Sequence, residues 1–168
     1  MQLRPAQPDD ALDVARVHVR AWQAGYRGLL PQEYLDGLRA EDRARRYDFA
    51  IGDPSKPATL VAVADGVVRG FATTMPAREV GAAPVGELCA LYVDPDWWGR
   101  GVGCALVAAA RARLREHGFC EAVLWLLAGN RRGERFYRGD GWAADDTARK
   151  DVVWGVDVDE VRYRRALD

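Results

Sequence analysis

One stretch of this chain decides how the rest is interpreted: Leu91-Tyr92-Val93-Asp94-Pro95-Asp96-Trp97-Trp98-Gly99-Arg100-Gly101-Val102-Gly103-Cys104-Ala105-Leu106. The apolar residues before Asp94 predict the end of a strand, and those from Gly101 predict a long helix that runs to His117. The alternating glycines between them let backbone N–H groups approach a ligand closely. A helix start adds unpaired N–H donors and the positive end of the helix dipole. The stretch therefore predicts a phosphate or pyrophosphate site, to which Arg100 adds a charge.

Other glycine-rich loops fit less well. A Walker A loop needs Gly-x-x-x-x-Gly-Lys-Ser/Thr, which the chain lacks. A dinucleotide-binding loop needs Gly-x-Gly-x-x-Gly directly after its strand and an acidic residue after the next strand. Here residues 94–100 intervene, and Leu106 stands where the third small residue belongs. A turn without a ligand remains the plainest alternative, although three alternate glycines cost backbone entropy and need a reason.

The pattern outward from this stretch predicts an α+β (mixed α/β) fold in one domain, residues 1–168. Asp65-Gly66 is typical of a hairpin turn, and the apolar run Ala122–Leu127 is typical of a central strand. The predicted strands are Met1–Arg4 at a sheet edge, Ala58–Ala64, Val67–Thr74, Val85–Val93, Ala122–Leu127, Gly141–Ala144 with an extension, and Val156–Arg164. The predicted helices begin at Pro8, Pro31, Glu41 (to Ala50), Gly101 and Arg131 (to Arg138), and Pro76–Pro84 is a predicted loop.

Composition narrows the function class. The 168 residues carry 24 basic and 25 acidic side chains, a net charge of −1, which argues against a dedicated nucleic-acid binder. No stretch has the ~20 apolar residues of a membrane span, and the start of the chain has no apolar signal region, so we expect a cytoplasmic protein. Three widely spaced cysteines and two histidines, with no metal-ligand spacing, predict no metal site.

Charge is divided along the chain. Residues 98–138 hold eight arginines and three acidic residues, a net charge of +5, whereas the remainder carries −6. The positive segment contains the glycine-rich stretch, as a phosphate-rich ligand would favour. The acidic remainder suits a cationic second substrate.

A second pattern follows the predicted strand Ala122–Leu127. Tyr137 lies seven residues after Asn130, and Gly141-Trp142 follows four residues after Tyr137. Together with Trp98-x-x-Gly101-x-Gly103, this resembles the GNAT acyltransferase superfamily, whose loop has the form Gln/Arg-x-x-Gly-x-Gly/Ala. Trp98 replaces the Gln or Arg, and the resemblance implies that the contact there is mainly main-chain. The stretches Ala21–Pro31 and Glu160–Tyr163 also resemble bacterial members.

The resemblance implies the GNAT fold: a mostly antiparallel twisted sheet of about six to seven strands, splayed at its centre and flanked by about four to five helices. It also implies acetyl-CoA as co-substrate, without a metal, and acetyl transfer to a primary amine by direct attack in a ternary complex. The implied cofactor-binding residues are Leu91, Tyr92, Val93, Trp98, Gly99, Arg100, Gly101, Val102, Gly103, Cys104, Asn130 and Tyr137.

Three groups are candidates for the chemistry. The Val93 N–H is the candidate donor to the acetyl carbonyl, and Tyr137 is the candidate acid for the leaving thiolate. Glu87 is the candidate base, six residues before Val93 and on the same strand face unless a bulge intervenes. The alternatives are a solvated strand-end carboxylate for Glu87 and simple packing for Tyr137.

The predicted first helix presents His18, Trp22 and Tyr26 on one face, which the resemblance places beside the acceptor. Trp22 and Tyr26 are candidate acceptor-binding residues, whereas His18 is expected at the surface. We expect Asp94 and Asp96 to be turn residues. We expect Cys104 to pack under the glycine loop.

Three functions compete: an N-acetyltransferase, a non-catalytic acyl-CoA-binding regulatory domain of the same fold, and a nucleotide-binding enzyme of another class. For the first, the acceptor is a small-molecule amine or a protein N-terminus. No nucleic-acid or membrane partner is expected, and the resemblance is compatible with a homodimer.

Overall fold

The computed structural model describes residues 1–50, 52–78 and 83–168, and its strands form one seven-stranded sheet. The strands are β1 (Gln2–Pro5), β2 (Ala58–Ala64), β3 (Val67–Pro76), β4 (Gly86–Val93), β5 (Glu121–Leu127), β6 (Ala143–Val153) and β7 (Val156–Ala166). The helices are α1 (Ala11–Gly25), α2 (Gln32–Gly37), α3 (Ala40–Ala44), α4 (Val102–Glu116) and α5 (Arg131–Gly139), with 3₁₀ turns at Pro8–Asp10 and Pro95–Trp97.

The sheet has the order β1-β2-β3-β4-β5-β7-β6. Its neighbours are antiparallel except for β4 and β5, which are parallel. The α+β prediction with a mostly antiparallel sheet is therefore confirmed. β1 lies at an edge and β5 lies between two strands, as their apolar patterns indicate.

The hairpin predicted at Asp65-Gly66 is confirmed. Asp65 and Gly66 have φ angles of 53° and 73°, so both central residues adopt the positive φ of a type I′ turn. Ala64 and Val67 pair directly on either side of the turn. This hairpin sets the register of β2 and β3, the strands that carry α1 on one face and α4 on the other.

Helices cover both faces of the sheet. On one face Leu106, Val107 and Leu114 of α4 are buried in a cluster with Leu88 and Leu124. On the other face Val14 and Val17 of α1 are buried against Val61, Val68 and Phe71. Burying an apolar side chain of this size stabilises the fold by about 1.5–3 kcal/mol. The sheet is thus held between α1 and α4.

The centre of the sheet is splayed, as predicted. β4 and β5 pair only at Gly86↔Ala122 and Glu87↔Val123. Beyond these pairs the two strands diverge, so the backbone edge of β4 toward β5 is left without a strand partner. A gap opens there, at the carboxyl ends of both strands.

One predicted boundary was wrong. The helix expected over Glu41–Ala50 ends at Ala44, because Tyr47 and Phe49 leave it to pack beside Phe71. The strand predicted at Gly141–Ala144 with an extension is β6, which runs from Ala143 to Val153 with a register shift between Ala144 and Ala148. The loop expected over Pro76–Pro84 follows the last residue of β3, and residues 79–82 of it lie outside the described residues.

Candidate active site

A cleft of about 600 Å³ fills the gap between β4 and β5. It runs from the glycine-rich loop to the face of α1 that carries Trp22 and Tyr26. The structure brings the candidate residues into its wall with one exception, Arg100. The candidates that line it are Trp22, Tyr26, Glu87, Leu91, Tyr92, Val93, Trp98, Gly99, Gly101, Val102, Gly103, Cys104, Asn130 and Tyr137.

The glycine loop presents its backbone at the start of α4. Gly99 and Gly101 have φ angles of 73° and 81°. A residue with a side chain would be strained at these positive φ angles. The first hydrogen bond into the helix is from the Ala105 N–H to the Gly101 carbonyl at 3.0 Å. The N–H groups of residues 102–104 thus have no partner within the helix. A Cβ on Gly103 would lie 3.2 Å from a ring carbon of Phe136, which explains a small residue there.

Ion pairs anchor the turn before this loop. Asp94 is buried, and its carboxylate accepts from the Asp96 N–H at 3.1 Å. The Arg20 guanidinium of α1 lies 3.1 Å from Asp94 and 2.8 Å from Asp96. The Arg69 guanidinium reaches Asp94 at 3.8 Å. Both acids are therefore turn residues, as predicted, and they tie the glycine loop to α1.

Two tryptophans beside the loop have arginine side chains stacked on their rings. The guanidinium carbon of Arg100 lies 5.1 Å from the centre of Trp97, whose ring also meets Arg69 at 4.8 Å. The guanidinium carbon of Arg132 lies 3.2 Å from the centre of Trp98. Burial lowers the pKa of Arg132, and the nearby charge of Arg135 lowers it further. Positive charge therefore accumulates beside the loop.

Trp98 is held by hydrogen bonds from its main chain and its side chain. Its backbone N–H donates to the Pro95 carbonyl at 3.2 Å within the turn. Its indole N–H donates to the Val93 carbonyl at 2.9 Å. The ring therefore ties the loop to the end of β4, and the mainly main-chain contact expected at Trp98 stays a prediction.

Val93 directs its backbone into the gap. The Asp94 N–H donates to the Arg69 carbonyl at 2.8 Å, toward β3. Backbone groups of consecutive residues in a strand point to opposite sides, so the N–H and carbonyl of Val93 point toward β5. The carbonyl is used by Trp98, and β4 has no pairing with β5 at this position. The Val93 N–H is therefore directed into the cleft.

Tyr137 lies on α5 and is buried in the wall of the cleft. Burial raises the pKa of Tyr137, and the nearby Tyr92 and Asp140 raise it further. Its hydroxyl is thus protonated at neutral pH, as an acid must be. Asn130 caps the same helix: its side-chain oxygen accepts from the Gly133 N–H at 2.9 Å.

Glu87 lines the cleft on the face of β4 opposite to Val93. A register shift pairs Thr73 with Ala90 but Thr74 with Leu88, so Cys89 is an extra residue in β4. Gly86 and Leu88 face α4, as Leu91 and Val93 do, and this change of parity is the mark of a β-bulge. The expectation that even spacing puts Glu87 beside Val93 is therefore wrong, since a bulge intervenes. Glu87 faces the α1 side.

The first helix presents His18, Trp22 and Tyr26 on one face, as predicted. The ring centres of His18 and Trp22 are 5.4 Å apart, and those of Trp22 and Tyr26 are 5.1 Å apart. The surface position expected for His18 is wrong: it is 4% exposed and its Nδ1 lies 2.8 Å from the Tyr47 hydroxyl. Burial lowers the pKa of His18 well below its ordinary value. The imidazole is therefore neutral, and it packs against Trp22 beneath the surface of the cleft wall.

Cys104 also differs from expectation. It is exposed and lines the cleft instead of packing under the loop, because Val102 and Leu106 take the buried side of α4. Within the described residues, no group of His, Cys, Asp and Glu is arranged to hold a metal ion. In the same part of the chain, no helix has the length and apolar character to cross a bilayer.

One further part of the wall comes from β5, β6 and β7 and has no signal in the sequence. It consists of Leu124, Trp125, Leu126, Leu127, Arg149, Val153, Val158 and Glu160. Nothing in the local pattern of these residues indicates a site. Only the pairing of β5 with β7 and of β7 with β6 brings them to the gap.

Comparison with known proteins gives a consistent picture. Residues 20–142 match the model of the acetyltransferase (GNAT) family. The uncharacterized N-acetyltransferase YuaI of Bacillus subtilis (strain 168) is 31% identical over 129 residues, 76% of this chain and 72% of that protein. Aminoglycoside N(6')-acetyltransferase type 1 of Stenotrophomonas maltophilia is 32% identical over 120 residues, 69% of each chain. The PaiA N-acetyltransferase of Thermoplasma acidophilum, solved with coenzyme A, has the same fold, with a TM-score of 0.74 over 98% of both chains at 20% identity.

Proposed function

The chain belongs to the acetyltransferase (GNAT) family, and we propose that it transfers the acetyl group of acetyl-CoA to a primary amine by direct attack. Family membership supports the donor, acetyl-CoA. The observation that carries the rest is the meeting of three features in one cleft: a glycine loop with free N–H groups, the inward-facing Val93 N–H, and a buried, protonated Tyr137. We treat residues 1–168 as one such domain, since strands from both ends of the chain share one sheet.

The loop end of the cleft fits a pyrophosphate. The unpartnered N–H groups of residues 102–104 and the dipole of α4 favour an anion there. Arg132 lines the same end of the cleft and Arg135 lies near it. Among the described residues, neither arginine forms an ion pair, so both charges are available to phosphate. We assign this end to coenzyme A, which supplies an acetyl group activated as a thioester.

Val93 and Tyr137 are assigned to the acyl group. The Val93 N–H would donate to the carbonyl oxygen, on which negative charge builds as the amine attacks. Tyr137 would give its hydroxyl proton to the departing sulfur, so that coenzyme A leaves as the thiol. The high pKa of Tyr137 keeps that proton in place until charge develops on the sulfur.

Glu87 is assigned to the amine. An alkylammonium has a pKa of roughly 10.4, so the acceptor must lose a proton before or during attack. Glu87 lines the α1 side of the cleft, the side where Trp22 and Tyr26 leave room for the acceptor. We propose that its carboxylate takes the first proton of the ammonium through water and passes it to solvent. As the N–C bond forms and the C–S bond breaks, Tyr137 gives its proton to the sulfur, and the second proton lost by the nitrogen restores the Tyr137 hydroxyl, so that the reaction releases one proton in all.

The acceptor is assigned as an amine, either a small molecule or a protein N-terminus. One relative is named for acetylating an aminoglycoside amine, which supports amine chemistry in general. A homodimer remains compatible with this assignment. The charge division also supports it, since the acidic part of the chain includes the helices that border the acceptor side.

The test is a ligand screen followed by turnover. Coenzyme A and acetyl-CoA are expected to raise the melting temperature, whereas ATP and NAD are not. Thiol release from acetyl-CoA, followed with a thiol reagent, is expected to depend on an added primary amine, and mass spectrometry should find the amide. Stabilisation by coenzyme A without turnover on any amine would indicate the non-catalytic domain instead, and stabilisation by ATP or NAD alone would indicate a different nucleotide enzyme.

A further inference from the structure

The end of the cleft farthest from the glycine loop has an aromatic and apolar wall. Its side chains come from α1 and the loop after it, from β4 and β5, and from the β6–β7 hairpin. They are Trp22, Tyr26, Leu30, Tyr92, Leu127, Val153 and Val158. Trp22, Leu30 and Val158 are buried beneath the surface of this wall, and the others are half-buried. We refer to these seven residues as the aromatic arm.

Packing behind the aromatic arm holds it in place. The Tyr34 hydroxyl donates to the Trp154 carbonyl at 2.6 Å, which ties the β6–β7 turn to α2. The Trp154 ring lies 5.1 Å from Trp22 and 4.6 Å from His18. His18 in turn stacks on Tyr92 at 4.7 Å. A wall so braced provides a preformed apolar surface, which is the usual basis of small-molecule binding.

Negative charge in the cleft is sparse. Among the described residues that line it, the carboxylates are those of Glu87 and Glu160. Glu160 already has a cation, since the Arg149 guanidinium lies 2.7 Å from its carboxylate. Arg149 is itself held over the Trp125 ring at 4.0 Å.

The tyrosines of the arm add no charge. Burial raises the pKa of Tyr26, and burial raises the pKa of Tyr92. The two hydroxyls lie 3.4 Å apart, so both are neutral groups that hydrogen-bond weakly to each other. The arm therefore offers ring faces and two hydroxyls to a ligand, rather than a set of anions.

From this arrangement we infer that the preferred acceptor is a small primary amine with a single positive charge and an aromatic or similarly bulky apolar body. The inference rests on the proposed function and specifies its acceptor. The apolar body would cover the aromatic arm, and the single ammonium would be matched by the few carboxylates of the cleft. A polyamine or aminoglycoside would place further ammonium groups against apolar surface, where an unpaired charge is costly.

The first test compares acceptors on the wild-type chain at saturating acetyl-CoA. The panel is 2-phenylethylamine, propylamine, spermidine and kanamycin. We expect kcat/KM for 2-phenylethylamine to exceed that for each of the others by at least about tenfold, because only it combines one charge with a ring. A higher kcat/KM for spermidine or kanamycin would overturn the inference while leaving the proposed function intact. An equal kcat/KM for propylamine and 2-phenylethylamine would have the same consequence. Thiol release with none of the four amines but with a peptide that has a free N-terminus would also overturn the inference and leave the proposed function intact, whereas no release with any of these acceptors would overturn both.

The second test uses two neighbouring valines of the β6–β7 hairpin. Val153 lines the cleft, whereas Val152 is 63% exposed on the other side of the strand. In Val153→Asp, the ratio of kcat/KM for 2-phenylethylamine to that for spermidine is expected to fall at least about fivefold, since a new carboxylate favours the polycation. In Val152→Asp the ratio should stay within about twofold. If the aspartate variant does not fold, Val153→Ser replaces it in the test. An unchanged ratio of the two kcat/KM values in a folded Val153 variant would contradict the placement of the acceptor.

Discussion

At the scale of single residues, Tyr137 shows how position and chemistry combine. It lies on α5, a short helix whose start is capped by Asn130, and its ring meets Phe136 and Trp142 at 5.1 Å and 6.2 Å. These contacts hold the ring in the wall of the cleft. A tyrosine that served only to pack would leave the acetyl transfer rate unchanged when its hydroxyl is removed.

Tyr137→Phe is therefore expected to slow thiol release by at least about tenfold, because the leaving thiolate loses its acid. The melting temperature and the affinity for coenzyme A should change little, since the ring is kept. Tyr163→Phe, at a buried tyrosine that does not line the cleft, is the matched control. If both variants turned over at the wild-type rate, Tyr137 would have no role as the acid.

The strand face of Glu87 and the burial of His18 are not determined by their neighbours in the sequence. The spacing from Glu87 to Val93 is even, yet the extra residue Cys89 moves Glu87 to the other face of β4. His18 shares a helix face with Trp22, yet the β6–β7 turn covers it with Trp154. Both outcomes depend on partners that lie far away in the sequence, so neither was visible in the local pattern.

At the scale of elements, α5 links the second sequence motif to the site. The Asn130 side chain accepts a hydrogen bond from the Gly133 N–H, one of the unpaired donors of the first turn. A Cβ on Gly133 would meet Leu126 of β5 at 2.7 Å, so the helix packs closely on that strand. The motif therefore serves to start and seat the helix that carries Tyr137.

Substitutions at Asn130 test how much the cap contributes to stability and how much it contributes to thiol release. Asn130→Ala is expected to lower the free energy of unfolding by about 1 kcal/mol, whereas Asn130→Asp, which keeps a cap acceptor, should lose much less. Denaturant unfolding measures both values. Thiol release should fall in Asn130→Ala as α5 loosens around Tyr137. Equal stability of the two variants would mean that the cap does not hold the helix.

At the scale of the whole molecule, charge is divided between two parts of the chain. The net charge of −1 combines a positive segment, residues 98–138, with a negative remainder. Several arginines of that segment are used internally, as in the ion pair of Arg111 with Asp140 at 3.0 Å. Arg100 and Arg132 are instead stacked on the two tryptophans beside the glycine loop. The field at the loop end is thus more positive than the total charge suggests.

Coenzyme A binding should accordingly depend on salt. Raising NaCl from about 0.05 M to about 0.5 M is expected to increase the Kd of coenzyme A several-fold, because screening weakens the attraction of its phosphates. The Kd of acetyl-pantetheine, which has no phosphate, should change by less than about twofold under the same conditions. Calorimetry measures both constants. Equal salt dependence of the two ligands would remove phosphate recognition from the loop end.

The amino-acid sequence by itself determined the order of the elements, the glycine loop and the second motif, because these depend on local periodicity, turn chemistry and fixed spacing. The Asp65-Gly66 hairpin, the central strand Ala122–Leu127 and the short helix α5 were all visible in this way. Residues up to seven positions apart are enough to specify them.

Only the tertiary structure decided how the far wall of the cleft is built. Trp125, Arg149, Val153 and Glu160 reach the cleft because β7 pairs with both β5 and β6, beside the gap where β4 and β5 diverge. Such pairings are set by long-range burial and register, which leave no local signature. The glycine-loop end of the cleft was therefore predictable from the sequence, whereas its far wall required the packed sheet.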